Sequence, residues 1–156
     1  RLNELWSWAE AEETAGLSPQ MFIDLFLPYY QQLGTKVGHL YYGCCEPLQD
    51  TLPDILKALP NVGKVSVSSW SNESRVGTML RGTGVIYSRK PSANLIGVAQ
   101  TLDEAEFCRH IAATLAAAED CPCEFIFRDI YTVHGNLQKI RRAVELTKQV
   151  IQQAGR

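Results

Sequence analysis

The sequence predicts an α/β domain built on a parallel sheet. Short runs rich in Val, Ile and Tyr alternate with helical segments along the whole chain. Helix-start signals recur between them. The 156 residues suffice for one domain with a real core. Strands alternating with helices imply parallel strands joined by right-handed crossovers.

The elements follow in order. A helix begins at "SPQMFIDLFLPYYQQLG" (18–34), with Ser18 as N-cap and Pro19 in the first helical position. Pro28 divides it, because a proline inside a helix removes a donor and clashes with the preceding turn. "KVGHLYYG" (36–43) reads as a strand, and "TLPDILKAL" (51–59) as a short helix with Pro53 in its first turn. "GKVSVSS" (63–69) alternates Val65 and Val67 with polar partners, the period of a strand. "NESRVGTML" (72–80) is a helix capped by Asn72, and "GVIYS" (84–88) a strand. Thr101 and Glu104 form a capping box that opens a helix to about Ala118, with Cys108, Ile111, Ala112 and Leu115 on its inner stripe. "CEFIFRDI" (123–130) is the last strand. Asn136 caps a closing helix that buries Leu137, Ile140, Val144 and Ile151. The tail of one more strand precedes residue 18, so four full strands are expected. An open doubly wound sheet and part of a (β/α)8 barrel both fit. A whole barrel needs about 250 residues, so this chain would be a C-terminal half.

Composition narrows the function. Apolar residues make up 46% and charged residues 21%, with a net charge of −2. No Lys/Arg block offers the clustered cations that phosphate binding needs, which disfavours nucleic acid. No apolar run approaches the ~20 residues of a membrane span. Five cysteines, an odd number, give no framework of paired disulfides and point to free thiols in a reducing, cytoplasmic setting.

In either architecture, chemistry gathers at the C-terminal ends of the strands. That rule selects Trp6, Trp8, Glu10, Glu12 and Glu13 from the first segment, Cys44, Cys45 and Glu46 after the second strand, and Trp70 after the third. Arg89 and Lys90 follow the fourth. Asp129 and His134 follow the last, as candidate catalytic groups. Adjacent thiols are soft zinc ligands and nucleophiles, and Glu46 would add a carboxylate. Arg89, Lys90 and Trp70 are candidates for holding an anionic substrate. Cys121 and Cys123 approach a strand from its N-terminal side and are expected to be structural. The competing reading of Cys44 and Cys45 is that cysteine is a small hydrophobe, often buried at strand ends.

The stretch "GLSPQMFIDLFLPYYQQLG…VGHLYYGCCEPLQDTLPDILKALPNV", with "KVSVSSW", "GVIYSRKP" and "EFIFRDIYTVHGNLQKIRRAVE", resembles the C-terminal half of the uroporphyrinogen decarboxylase superfamily. The resemblance covers essentially the whole chain. It implies a (β/α)8 barrel whose N-terminal half lies outside this chain, and a partner for the open half: that missing piece or a second copy. It implies one of two activities. The first is cofactor-independent decarboxylation of a porphyrinogen. The second is zinc-dependent methyl transfer between a corrinoid protein and a thiol. The methyltransferases carry His-x-Cys at the strand aligned with "LYYGCC". If their cysteine corresponds to Cys45, Gly43 stands at the histidine position, and Glu46, Cys44 or Asp129 would substitute. The decarboxylases' closing His-Gly aligns near Asp129–Tyr131, and His134-Gly135 comes a few residues later. Zinc-thiolate methyl transfer is the leading expectation. Decarboxylation without a cofactor and a non-catalytic half-barrel module are the alternatives.

Overall fold

The computed structural model describes residues 4–10 and 12–156. Five parallel strands form one sheet: β1 (Trp6–Ala9), β2 (His39–Tyr42), β3 (Val62–Val67), β4 (Ile86–Arg89) and β5 (Cys123–Phe125). Their spatial order follows the chain, 1-2-3-4-5, with no reversal. Between them lie α1 (Pro19–Leu25), α2 (Leu27–Gly34), α3 (Leu52–Ala58), α4 (Glu73–Leu80), α5 (Asn94–Gly97) and α6 (Glu104–Ala117). The last element is α7 (Gln138–Gln153). The expected alternation holds, but the first segment is a full strand rather than a tail. Trp6 to Ala9 pair residue by residue with His39 to Tyr42, so the sheet has five strands, not four.

The local signals act largely as the sequence predicts. Ser18 Oγ accepts the Met21 N–H at 3.2 Å, and Asn72 Oδ1 accepts the Arg75 N–H at 3.1 Å. Each satisfies an orphan donor of a helix N-terminus. The chain breaks at Phe26, where Pro28 begins a separate helix. Several expectations are corrected. The cap of α6 is Asp103, whose carboxylate accepts the Glu106 N–H at 2.9 Å, not Thr101. The inner face of α6 carries Phe107, Ile111, Thr114 and Leu115, while Ala112 is exposed. In α7 the buried stripe is Ala143, Leu146 and Val150, with Lys139 and Thr147. Leu137, Ile140 and Val144 face outward, and Asn136 makes no cap.

Strand period splits the sheet into two unlike faces. One face presents Leu40, Tyr42, Val65, Val67 and Tyr87, all fully buried beneath Phe22, Leu52, Ile55, Val76 and Leu80 of the helices. Burying one such side chain is worth about 1.5–3 kcal/mol, so this face anchors the fold. A second cluster joins α6 and α7 through Phe107, Ile111, Leu115, Ala143, Leu146 and Val150.

The other face is polar and aromatic. It carries Trp6, Trp8, Tyr41, Lys64, Ser88 and Glu124. Lys64 pairs with Glu124 at 2.9 Å and lies over the Trp6 and Tyr41 rings. Ser88 Oγ donates to Glu124 at 2.7 Å and sits 2.9 Å from the Tyr41 hydroxyl. The two Trp rings remain about half exposed. Trp6 fits because Gly63 beneath it has no side chain: a Cβ there would lie 2.7 Å from the indole.

Candidate functional site

The site forms where β2 ends. Gly43 takes φ +90°, a conformation that favours glycine, and turns the chain off the sheet. The next residue, Cys44, is held on three sides. Its N–H donates to Glu46 Oε2 at 2.9 Å, and its carbonyl accepts Ser66 Oγ–H at 2.6 Å. Its sulfur accepts Arg128 Nη1–H at 3.4 Å and lies 3.7 Å from Cys45 Sγ. Burial pushes the Cys44 thiol up to about 11, the Arg128 hydrogen bond opposing it.

Glu12, in a 3₁₀ turn after β1, completes the group. Its carboxylate and the two sulfurs all lie within 4.8 Å of one another. The pairing of β1 with β2 causes this, by carrying the ends of both strands to the same rim. Glu46 is not in this donor group. Its side chain is 5% exposed, turns beneath Cys44 and lines a separate cavity of about 100 Å³ with Tyr42 and Thr14.

The donors fit zinc. Zinc–sulfur bonds of about 2.3 Å at a tetrahedral angle put two sulfurs about 3.8 Å apart, against the 3.7 Å seen here. Two thiolates and one carboxylate are three protein ligands, the number that leaves a fourth position open in catalytic sites.

A cleft of about 80 Å³ adjoins the thiols, lined by Cys44, Cys45, Trp70, Lys90, Arg128 and Asp129 among others. Lys90 is 6% exposed; its ammonium lies 5.4 Å from the Trp8 ring centre and 5.3 Å from that of Tyr41, and donates to the Cys44 carbonyl at 3.4 Å. Trp70 stands exposed at the rim. Asp129 takes φ 59° and pairs with Arg128 Nε at 2.8 Å.

Two expected members lie elsewhere. Arg89 and Lys90 do not form one clamp, because consecutive strand residues point to opposite faces. Arg89 turns under the helices, where its guanidinium pairs with Glu73 at 2.6 Å. His134 sits in an exposed loop and does not line the cleft; its Nε2 is 3.1 Å from the Gly97 carbonyl and 3.2 Å from that of Val98. The strand-end rule places Glu12 at this rim but does not join it to the two thiols, and Arg128, expected to point away, lines the cleft. The acidic run Glu10, Glu12, Glu13 at a strand end was the available signal for Glu12. The His39 ring, at the start of β2, lies 4.9 Å from that of Trp6, tilted by 31°.

Comparison of the chain with models of protein families, with curated proteins and with solved structures finds no match. No helix among the described residues is long and apolar enough to cross a membrane.

Proposed function

We propose that the chain is a C-terminal half-barrel of the uroporphyrinogen decarboxylase type, and that Cys44, Cys45 and Glu12 hold a zinc ion for methyl transfer to a thiol. The observation that carries it is the meeting of two thiols and a carboxylate within 4.8 Å of one another, the thiols lining a strand-end cleft. The uninterrupted strand order supports the barrel, since doubly wound sheets reverse direction at a switch point. Among the described residues β1 and β5 each pair on one side only. The sheet therefore calls for a second copy or another half to cover its edges.

Zinc in this donor set supplies a Lewis acid that lowers the pKa of a thiol substrate. The protein's own groups do the rest. Lys90 and Arg128 hold an anionic group of the substrate beside the sulfurs. Glu46 and Ser66 fix the Cys44 peptide. Trp70 closes one side of the cleft. In the transfer, the methyl group leaves a corrinoid cobalt, which keeps the electron pair of the cobalt–carbon bond. The methyl carbon bonds to the substrate sulfur, whose proton has gone to solvent.

The test combines elemental analysis with turnover. Protein purified without a histidine tag is expected to carry near-stoichiometric zinc, and Cys45→Ser to lose it. Methylcobalamin with a small sulfonate- or carboxylate-bearing thiol is expected to lose its methyl–cobalt absorbance, and chelator to stop this. Metal-free protein that turns over methylcobalamin, or zinc unchanged in Cys45→Ser, overturns the reading. Decarboxylation of a polycarboxylate in the presence of chelator would instead favour the second reading, which draws on Lys90 and Arg128 as carboxylate holders.

A further inference from the structure

Cys44 and Cys45 are neighbours in sequence, yet their sulfurs meet. Successive side chains of extended backbone point to opposite faces. Here the turn that starts at Gly43 brings both sulfurs to one side, 3.7 Å apart. Cys44 is buried, Cys45 is half-buried, and both line the cleft. A small thiol reagent thus reaches Cys45 first, with Cys44 directly behind it. The remaining cysteines differ: Cys121 Sγ lies 3.6 Å from the carbonyls of Gly77 and Glu119, Cys123 Sγ 3.9 Å from the Glu124 carbonyl, and Cys108 packs on the α6–α7 cluster.

We infer that Cys44 and Cys45 form a reversible disulfide with each other, and that this oxidation switches the site off. The switching consequence rests on the metal reading above; the disulfide itself does not. The oxidant is a small disulfide such as oxidised glutathione. Cys45, as thiolate, attacks one of its sulfurs; that S–S bond breaks and one glutathione thiolate departs. Cys44, as thiolate, then attacks the Cys45 sulfur of the mixed disulfide, and the second glutathione departs. Two cysteine thiols are oxidised, one glutathione disulfide is reduced, and the two cysteine protons end on the two glutathione thiols.

Geometry makes this a switch rather than a staple. Consecutive Cα atoms lie about 3.8 Å apart, short of the roughly 4.4–6.8 Å that disulfides prefer. The bond is therefore strained and readily reduced. Once joined, the two sulfurs no longer offer the pair of thiolates that zinc requires.

Trypsin gives a clean readout, because the peptide 37–57 contains Cys44 and Cys45 and no other cysteine. The whole chain is equilibrated in buffers of graded oxidised to reduced glutathione, with and without bound zinc. A chromogenic chelator reports released metal. In the zinc-free chain the peptide is expected to become lighter by two hydrogen atoms and to recover with dithiothreitol. In the loaded chain zinc loss should track that shift. Cys45→Ser should not show it. A peptide that stays reduced, or stops at a glutathione adduct, overturns the inference. A disulfide in a chain that never binds zinc upholds the dithiol pair and removes the metal reading. Stable zinc with no disulfide does the reverse.

Discussion

Replacing Arg89 by methionine separates a structural role from a substrate-binding one. The guanidinium donates to the Val67 carbonyl at 3.2 Å and the Ser68 carbonyl at 2.5 Å, and pairs with Glu73 at 2.6 Å. Its side chain is 3% exposed and that of Glu73 23%. Arg89→Met keeps most of the volume but leaves two carbonyls without this donor and a half-sheltered carboxylate without its cation. Removing one partner of a buried pair costs about 3–5 kcal/mol. Glu73 keeps the Thr114 hydroxyl, 2.6 Å away, and some water, so the lower end applies, about 3 kcal/mol. In a chain this long each kcal/mol moves the melting temperature by about 2–4 °C, giving a fall of about 6–12 °C. Circular dichroism melts measure it. The double variant with Glu73→Gln should be less damaged than the sum of the two singles, by about 0.5–3 kcal/mol. A melting temperature within about 1 °C of the parent, with weakened anion binding, would refute this and return Arg89 to the cleft.

The other predictions concern packing, ligands and pH. Gly77→Ala in an open helix would gain about 1 kcal/mol. Here its Cβ would fall 1.8 Å from the Ala117 carbonyl oxygen, so urea unfolding should show a net loss of about 2 kcal/mol or more; a stabilised variant would contradict the α4–α6 contact. Zinc competition should show Glu12→Ala weakened by about 100-fold or more and Glu46→Gln by about 10-fold, as befits a ligand and a supporting group. Equal binding by Glu12→Ala and the parent removes Glu12 from the site. Burial, then the neighbouring Arg89 charge, holds the His110 pKa below its ordinary value. The unfolded chain therefore takes up this proton first, near pH 6.5, and stability falls as pH drops from about 6.5 toward the lowered folded value. His110→Gln should flatten that fall in melting temperature; an unchanged slope would assign it to other groups.

Much of the alternation of strands and helices was legible because some helices announce themselves locally. Ser18 and Asn72 cap by side chains that any reader of the chain can see. The last strand was read too long. Its pairing persists to the Ile126 N–H, which bonds the Arg89 carbonyl at 2.8 Å, and then Asp129 at φ 59° leaves the sheet line. In α7 two apolar stripes share helical spacing. Only the packing of Ala143, Leu146 and Val150 with α6 decides which is inner. Arg89 and Lys90 looked like one cationic pair, although strand period alone separates them. Glu12 was legible at the rim, but its partners were not. It precedes Cys44 by a whole helical crossover, and only the parallel register of β1 on β2 makes them neighbours.

Burial alone does not separate Cys44 from Cys121, which are 4% and 7% exposed. Their company does. Cys121 belongs to the main apolar cluster, with Cys123 packed against it, and Cys108 packs on the α6–α7 cluster. Cys44 and Cys45 join neither cluster. Instead the sulfur of Cys44 meets a thiol and a guanidinium, and its peptide is pinned from both sides by Glu46 and Ser66. The two peptide contacts are what any buried backbone requires; the sulfur's polar company is what sets Cys44 apart. Serine substitution exposes the difference. Cys121→Ser buries a hydroxyl among apolar groups and should cost about 1–3 kcal/mol with zinc content unchanged. Cys45→Ser, half-buried at the cleft, should abolish the metal, yet leave unfolding of the metal-free chain within about 0.5 kcal/mol of the metal-free parent. The opposite pattern would make the turn after β2 a piece of packing and leave the rim without chemistry of its own.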